Sequence, residues 1–262
     1  MNNKVSIIIP TYNGEKYIKE TIDSCVNQSH SNVEIVVIDD CSSDNTVSIL
    51  KSYKDKICLY FNESNQGITK NVNKGVELCT GDYFILLGHD DVLLEKHIEL
   101  MLSEFDEDIM SVYCNSVIID ANNNELSVLL NNDIQNKKIK NPLVHLAVNN
   151  FISSCGMIHK TEIFKKFGGW DEEYKNYGEW LFYIKMLRYG KIKYSLKTKS
   201  KYRRHDTNIT NTFKDKNVKK YLNHYFKDCR VLAHNEGDFS LFELFLIKVR
   251  LLKLTIISIV KK

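Results

Sequence analysis

Two adjacent carboxylates, Asp90 and Asp91, follow a short unbroken apolar run, Tyr83-Phe84-Ile85-Leu86-Leu87. A strand covered on both faces needs such a run, so the two acids arrive at a buried strand end. There they repel each other and lose hydration, and a cation beside them relieves both costs. Oxygen ligands select a hard ion, Mg2+ or Mn2+, which keeps waters and bridges phosphates. The competing explanation is a solvated turn leading into the next helix, since Asp is a good cap. A second pair, Asp39 and Asp40, closes the apolar run Glu34–Ile38. Glu179 opens a helical pattern carried by Leu181, Ile184, Met186, Leu187 and Ile192, and a helix N-terminus stabilises a carboxylate there. Tyr202–His205, YRRH, gathers three groups able to carry positive charge.

The elements that must position these residues alternate. Val5–Pro10 is a β-branched run ended by proline, and Tyr17, Ile18, Ile22, Cys25 and Val26 then recur at helical spacing. After the second strand, Ser43 or Asp44 is the expected cap of a second helix. Ile57–Phe61 is a third strand. Ile68, Val72, Val76 and Cys79 share one face of a third helix, which Gly81 breaks before the fourth strand. Strand–helix alternation with short connections predicts a parallel sheet with helices on both faces, and ligands of such sheets gather at the carboxyl ends of the strands. The loops at 11–14, 39–43 and 88–91 all lie there, so three polar loops converge on one crevice. No GxGxxG follows the first strand and no GxxxxGK[ST] occurs, so phosphate charge must be met by metal and side chains. Further on, 109–119 reads as a strand, 122–140 as a polar, irregular, mobile loop, 143–148 as a short helix, and 155–174 as strand, helix and turn, with Gly168 and Gly169 ending the helix.

The 262 residues, 43% of them hydrophobic, suffice for one large α/β domain or one domain with an appendage. A net charge of +3 is too weak to imply nucleic-acid binding. Seven cysteines without a CxxC pair argue against a disulfide framework or a zinc site and read as small buried hydrophobes in a reducing compartment. The N-terminal segment MNNKVSIIIPTYN shows no signal-peptide pattern, so a cytoplasmic location is expected. From Phe239 onward the chain is strongly apolar, yet Glu243, Lys248, Arg250 and Lys253 interrupt it, which argues against a transmembrane span. Two readings stand side by side: a helix lying in the membrane interface at the inner face of the cell membrane, or a helix packed on the domain or on a partner.

Taken in order, the motifs IIIPTYNGEKYI (7–18), VVIDDCSSDNT (36–46), NQGITKNVNKGVELCTGDY (65–83), LLGHDD (86–91), FGGWDE (167–172), YGEW (177–180) and YRRH (202–205) resemble the inverting family 2 glycosyltransferases over roughly residues 4–206. The resemblance implies a GT-A type α/β fold, a Rossmann-like and mostly parallel sheet flanked by helices, here followed by a C-terminal helical tail. It implies a catalytic domain at 1–206, with a nucleotide-binding half (1–116) and an acceptor-binding half (117–206), and a helical segment at 207–262. Pro10, Thr11 and Tyr12 match the family's first nucleotide-binding loop. Asp40 matches the acid that binds the base, uracil in the uridine-dependent members. Lys70 falls where many members carry an arginine near the nucleotide. Asp90 and Asp91 match the acids that hold the ribose and a Mn2+ or Mg2+ ion on the diphosphate, Glu179 the catalytic base, and His205 a ligand for metal or phosphate.

Two positions depart from the family pattern. Gly88 stands where the common DxDD motif has its first aspartate, so metal binding would rest on Asp91 with Asp90. The Glu-Asp pair that precedes tryptophan is Gly178-Glu179 here, so the base would be glutamate, which can make the same proton transfer. The expected partners are a nucleotide diphosphate sugar, with UDP favoured, and a glycan or lipid-linked acceptor of cell-surface polysaccharide synthesis.

Each residue also has a plainer explanation. Asp40 could cap the following helix, Glu179 could be a first-turn acid, and His205 a surface histidine. Trp170 and Trp180 could line an acceptor site or pack in the core, and Lys201, Arg203 and Arg204 could solvate a strand edge. A catalytically silent nucleotide-sugar binding protein is the alternative function. Retention of Asp40, Asp91 and Glu179 together argues against it.

Overall fold

The computed structural model describes residues 3–208, a few positions between 227 and 235, and 239–260, with side chains at 175–176 and beyond 252 outside the described set. The first strands are β1 (Val5–Thr11), β2 (Val33–Asp39), β3 (Cys58–Phe61) and β4 (Tyr83–Leu86); between them run α1 (Ile18–Val26), α2 (Thr46–Lys51) and α3 (Ile68–Leu78). Strands β3-β2-β1-β4 pair in parallel, with Val5 opposite Val33 and Thr11 opposite Asp39. Every residue of β1 is buried because both faces are covered: Ile7 and Ile9 pack in one core with Ile18 and Ile22 of α1, and Ile8 packs in the other with Val72 and Val76 of α3. Side chains alternate along a strand, so an unbroken apolar run serves two cores at once. Gly75 lets α3 lie against the sheet, since a Cβ there would collide with the Ile8 side chain.

Beyond β4 the sheet continues through β5 (Val92–Leu93), β6 (Ile109–Ile119), β7 (Glu125–Val128), β8 (Ile158–Lys160) and β9 (Lys191–Arg203), giving the order β3-β2-β1-β4-β8-β6-β9-β5 with β7 on β6. The helices of this half are α4 (His97–Leu102), α5 (Asn132–Lys138), α6 (Pro142–Leu146), α7 (Thr161–Lys166) and α8 (Gly178–Met186), and the last is α9 (Leu241–Val260).

Three expectations change. Residues 122–140 are not an irregular loop but contain β7 and α5, whose N-cap Asn131 accepts a hydrogen bond from the Ile134 N–H at 3.0 Å. The boundary between halves at 116–117 falls inside β6, so one sheet runs through both. Ile192, counted into the helical pattern after Glu179, lies instead in β9, thirteen residues that run through Tyr202 to Arg203 and pair in parallel with β6. Among the described cysteines Cys25, Cys79, Cys114 and Cys155 are buried and free, as small hydrophobes would be, while Cys41 and Cys58 are exposed.

Candidate active site

Strands β1 and β2 deliver the first part of the crevice. Pro10 and Thr11 are buried, and Tyr12 turns outward. The Asp40 N–H donates to the Thr11 carbonyl at 2.8 Å, extending the ladder by one step. The Asp40 carboxylate accepts from Gln66 N (2.7 Å), Gly67 N (2.9 Å) and Asn62 Nδ2 (2.9 Å). It therefore fastens the start of α3 to the end of β2, not the helix that follows it in sequence. Gly67 makes that start possible with a φ of 83°. Lys70 is exposed on the first turn of α3, its Nζ 3.5 Å from Gln66 Oε1, so its charge sits beside the Asp40 cradle.

Successive side chains point to opposite faces, which separates Asp39 from Asp40. Asp39 Oδ2 accepts from Ser42 N at 3.0 Å; its Oδ1 and the Thr11 Oγ1 beside it in register are buried without a hydrogen-bond partner. Buried polar atoms are rarely left so, and two at the ligand end of a parallel sheet mark a place where a polar ligand docks. Sequence reading missed Asp39; its adjacency to Asp40 was the available signal.

The Asp90–Asp91 turn lies next to this edge. Asp91 is buried; its Oδ1 accepts from Arg203 N at 3.0 Å. Burial and then the Asp90 charge push its carboxyl well above the ordinary range. Asp90 Oδ2 accepts from His205 Nε2 (2.8 Å) and Asn208 Nδ2 (3.0 Å). The remaining oxygens converge: a Cβ added to Gly88 would lie 2.8 Å from Asp90 Oδ1 and 3.0 Å from Asp91 Oδ2. Gly88 thus leaves open the space that both carboxylates face. Two oxygens converging from like charges, one of them desolvated, fit a divalent cation that completes its shell with water and phosphate. Among the described residues no group of three or more His, Cys, Asp or Glu side chains surrounds such a position, and the space before Gly88 offers two carboxylate oxygens. His205 is not placed as a ligand: its Nε2 is bonded to Asp90 and its Nδ1 lies 2.8 Å from Thr207 Oγ1. It orients Asp90.

Arg203 corrects the sequence reading most sharply. It does not solvate an edge; it is completely buried. Its Nε donates to the Asp90 carbonyl (2.9 Å), Nη1 to the Asp120 carbonyl (3.1 Å) and to Asn123 Oδ1 (2.7 Å), and Nη2 to Glu20 Oε2 (2.7 Å). Its guanidinium carbon lies 4.8 Å from the centroid of the Tyr17 ring, whose other contact is the His205 ring, also at 4.8 Å. Four of its five N–H donors are used within the protein, so Arg203 is a positioning residue that locks the Asp90–Asp91 turn to α1 and to the β6–β7 turn.

Glu179 enters from the other side, on the first turn of α8. The residue is half-buried at its surface but densely surrounded, and burial pushes its carboxyl up to about 7. The Tyr183 and Ser154 hydroxyls face it and oppose the shift, although Tyr183 Oη, one turn along α8, completes no hydrogen bond of normal geometry. Ser154 and Cys155 are neighbours, and the Cys155 thiol faces Asp91. Residues 154–155 thus link the surroundings of Glu179 to those of Asp91. Asp40, Asp90 and Asp91 group at the carboxyl ends of β2 and β4, and Glu179 stands apart from them on α8. Trp170 and Trp180 are not part of this group: both are packed into the core, Trp180 at 2% exposure, and offer no face for an acceptor to stack on.

Residues 6–168 match the family model described as "Glycosyl transferase family 2". An uncharacterized glycosyltransferase of Rickettsia typhi is 35% identical over 211 residues, covering 79% of this chain and 66% of the relative. The Bacillus subtilis protein TuaG, assigned as a glycosyltransferase of teichuronic acid biosynthesis, is 38% identical over 105 residues, 37% of this chain and 42% of that one. The chain spans 37% of a Rickettsia felis relative. Among solved structures, Staphylococcus aureus TarS 1–349 in complex with UDP superimposes with a TM-score of 0.68 at 22% identity, over 95% of this chain and 70% of that one. Mannosyltransferase PcManGT from Pyrobaculum calidifontis, in complex with GDP-Man and Mn2+, gives 0.61 at 13% identity, over 94% and 79%. At these identities the two structures establish the GT-A fold.

Proposed function

This chain belongs to glycosyltransferase family 2, and on that premise we propose that it transfers a sugar, with inversion, from a nucleotide diphosphate donor to a hydroxyl of a glycan or lipid-linked acceptor on the cytoplasmic side of the cell. The observation that carries this reading is the open space in front of Gly88, at the carboxyl end of a parallel strand, that the Asp90 and Asp91 oxygens both face, with the half-buried Glu179 on the first turn of α8 as the candidate base.

Glu179 takes the acceptor hydroxyl proton as that oxygen bonds to the anomeric carbon, and the bond from that carbon to the diphosphate oxygen breaks on the opposite face. A carboxyl pushed up to about 7 suits a base working at neutral pH, where the ionised form is well populated and still basic enough to hold the proton. Asp90 and Asp91 would hold Mn2+ or Mg2+, which neutralises charge growing on the leaving diphosphate. His205 and Arg203 keep that turn in place. Pro10, Thr11 and Tyr12 frame the nucleotide at the β1 edge; Lys70 adds positive charge, and Asp40 holds the α3 start around it. Uridine is the favoured base, supported by the fold shared with a protein solved with UDP. Synthesis of a surface polysaccharide is supported by similarity to a protein assigned to teichuronic acid. The division into a nucleotide half up to 116 and an acceptor half up to 206 is retained as functional, not as two folding units.

Titration calorimetry of the chain with UDP, GDP, dTDP and CMP, with and without Mn2+, tests the donor half of this reading. UDP is expected to bind best, with Mn2+ tightening it roughly tenfold or more. Asp91→Ala should abolish the Mn2+ effect, and Gly88→Ala should reduce it because its Cβ occupies the space the two carboxylates share. Identical UDP affinity with and without Mn2+ in all three proteins would remove the metal from the account.

A further inference from the structure

Among its described side chains, at 241–252, helix α9 is covered on one side only. Ile247 is buried and Leu251 packs on the core, and Arg250 Nη1 lies 3.2 Å from His145 Nδ1 on α6. On the other side Leu241, Phe242, Phe245, Val249 and Leu252 are all exposed, Leu241 at 88% and Phe242 at 68%. At roughly 100° per residue the five fall within about 100° of the circumference, one continuous apolar stripe. Single exposed apolar residues are ordinary; a stripe containing two phenylalanines marks an interaction surface.

Cations flank the stripe. Lys248 is exposed at one edge, and Arg250 lies on the opposite flank, where α9 meets α6. Lys138 at the end of α5 places Nζ 5.3 Å from the centroid of the Phe151 ring, which itself contacts His145. Lys137 and Lys140 beside it are exposed. Burial, then the charges of Arg250 and Lys138, push His145 down to about 4. Among the described residues no salt bridge joins Lys138, Lys248 or Arg250 to an acid. The acid on this helix, Glu243, is taken up by Asn141 and Ser240, which leaves these cations to meet an anion from outside. A second copy of the chain is the poorer occupant, because a twofold contact along the stripe sets Lys248, near its middle, against its own counterpart. Among the described residues no helix is long and apolar enough to cross a membrane.

We infer that α9 docks on an anionic phospholipid bilayer, its Leu241–Leu252 stripe entering the acyl boundary while Lys248, Arg250 and Lys138 meet phosphate headgroups. Because α9 packs on α6 and α6 on α8, the bilayer lies two helices from Glu179. Docking stands on the helix's own geometry and does not require the transfer reaction.

Vesicle sedimentation of the full chain tests it, with phosphatidylcholine alone and phosphatidylcholine mixed with phosphatidylglycerol. The chain is expected in the pellet with the anionic vesicles, with weaker binding at high salt. Lys138→Gln with Arg250→Gln should lower that binding roughly tenfold or more, at about 1 kcal/mol per cation near the surface. Phe242→Glu with Phe245→Glu should abolish it, with the thermal melt of each variant as the fold control, since these rings are exposed. The inference is overturned if wild type stays in the supernatant with both vesicles, if the Phe variant pellets like wild type, or if wild type is a dimer that the Phe variant splits.

Discussion

Glu179→Gln is expected to lower kcat roughly a hundredfold to ten-thousandfold while leaving the dissociation constant for UDP within about twofold. The amide is isosteric with the protonated acid but cannot take a proton, so the donor side survives and the acceptor is no longer deprotonated. The same variant carries a stability signature. The folded-state pKa of Glu179 lies above the ordinary 4.5, so the contribution of the protonated side chain is fully present below about 4.5 and is lost as pH rises through about 7. Gln keeps the neutral form at every pH. The variant should therefore match wild type in acid and exceed it above pH 7 by about 2 kcal/mol, less than the full shift implies because the residue keeps some exposure. Denaturant melts at two pH values measure this directly; equal stability at both would show that Glu179 is not buried as an acid.

Arg203→Leu is the second change with a large expected effect. It leaves the Asp90 and Asp120 carbonyls and Asn123 without their donor and strips Glu20 of its ion pair. Removing one member of a buried ionic network costs about 3–5 kcal/mol, which in a protein of this size lowers Tm by on the order of 10 °C. Arg203→Lys keeps the charge but not the fork, so the folded protein should retain UDP binding while the Mn2+ dependence weakens, because the Asp90–Asp91 turn is no longer fixed. If Arg203→Lys binds UDP with unchanged Mn2+ dependence, Arg203 is only a core residue.

The strand ends of the proposed nucleotide side were readable in the sequence because their signals are local. An apolar run buried on both faces is continuous, it ends where the strand ends, and the carboxylates at 39–40 and 90–91 follow immediately. Glu179 was readable from its place on the first turn of α8. Arg203 was not, because its partners are a carboxylate 183 residues away and carbonyl groups that every residue possesses. The strand that delivers it, KIKYSLKTKSKYR, looks like a solvated surface; beyond Ile192 and Tyr194 its buried positions before Arg203 are Ser195, Thr198 and Ser200, whose burial no periodicity of apolar residues announces. Gly88 read as a loss from the DxDD pattern, whereas the structure shows the space it leaves shared by both remaining acids. The tryptophans could not be assigned because a large ring suits a core and a sugar platform equally; packing decided for the core. Of the two readings of the C-terminal helix, packing on the domain is visible at Ile247 and Leu251, and its exposed face is the surface for which the bilayer is proposed.

The central claim, that Glu179 is the base, is tested most directly by the pH dependence of kcat/KM. Log kcat/KM is expected to rise with unit slope on the acid side, bend at about 7 and stay flat above it, and the residual activity of Glu179→Gln should lack the bend. A wild-type profile that is flat through neutral pH, or a bend that persists in Glu179→Gln, would place the base elsewhere.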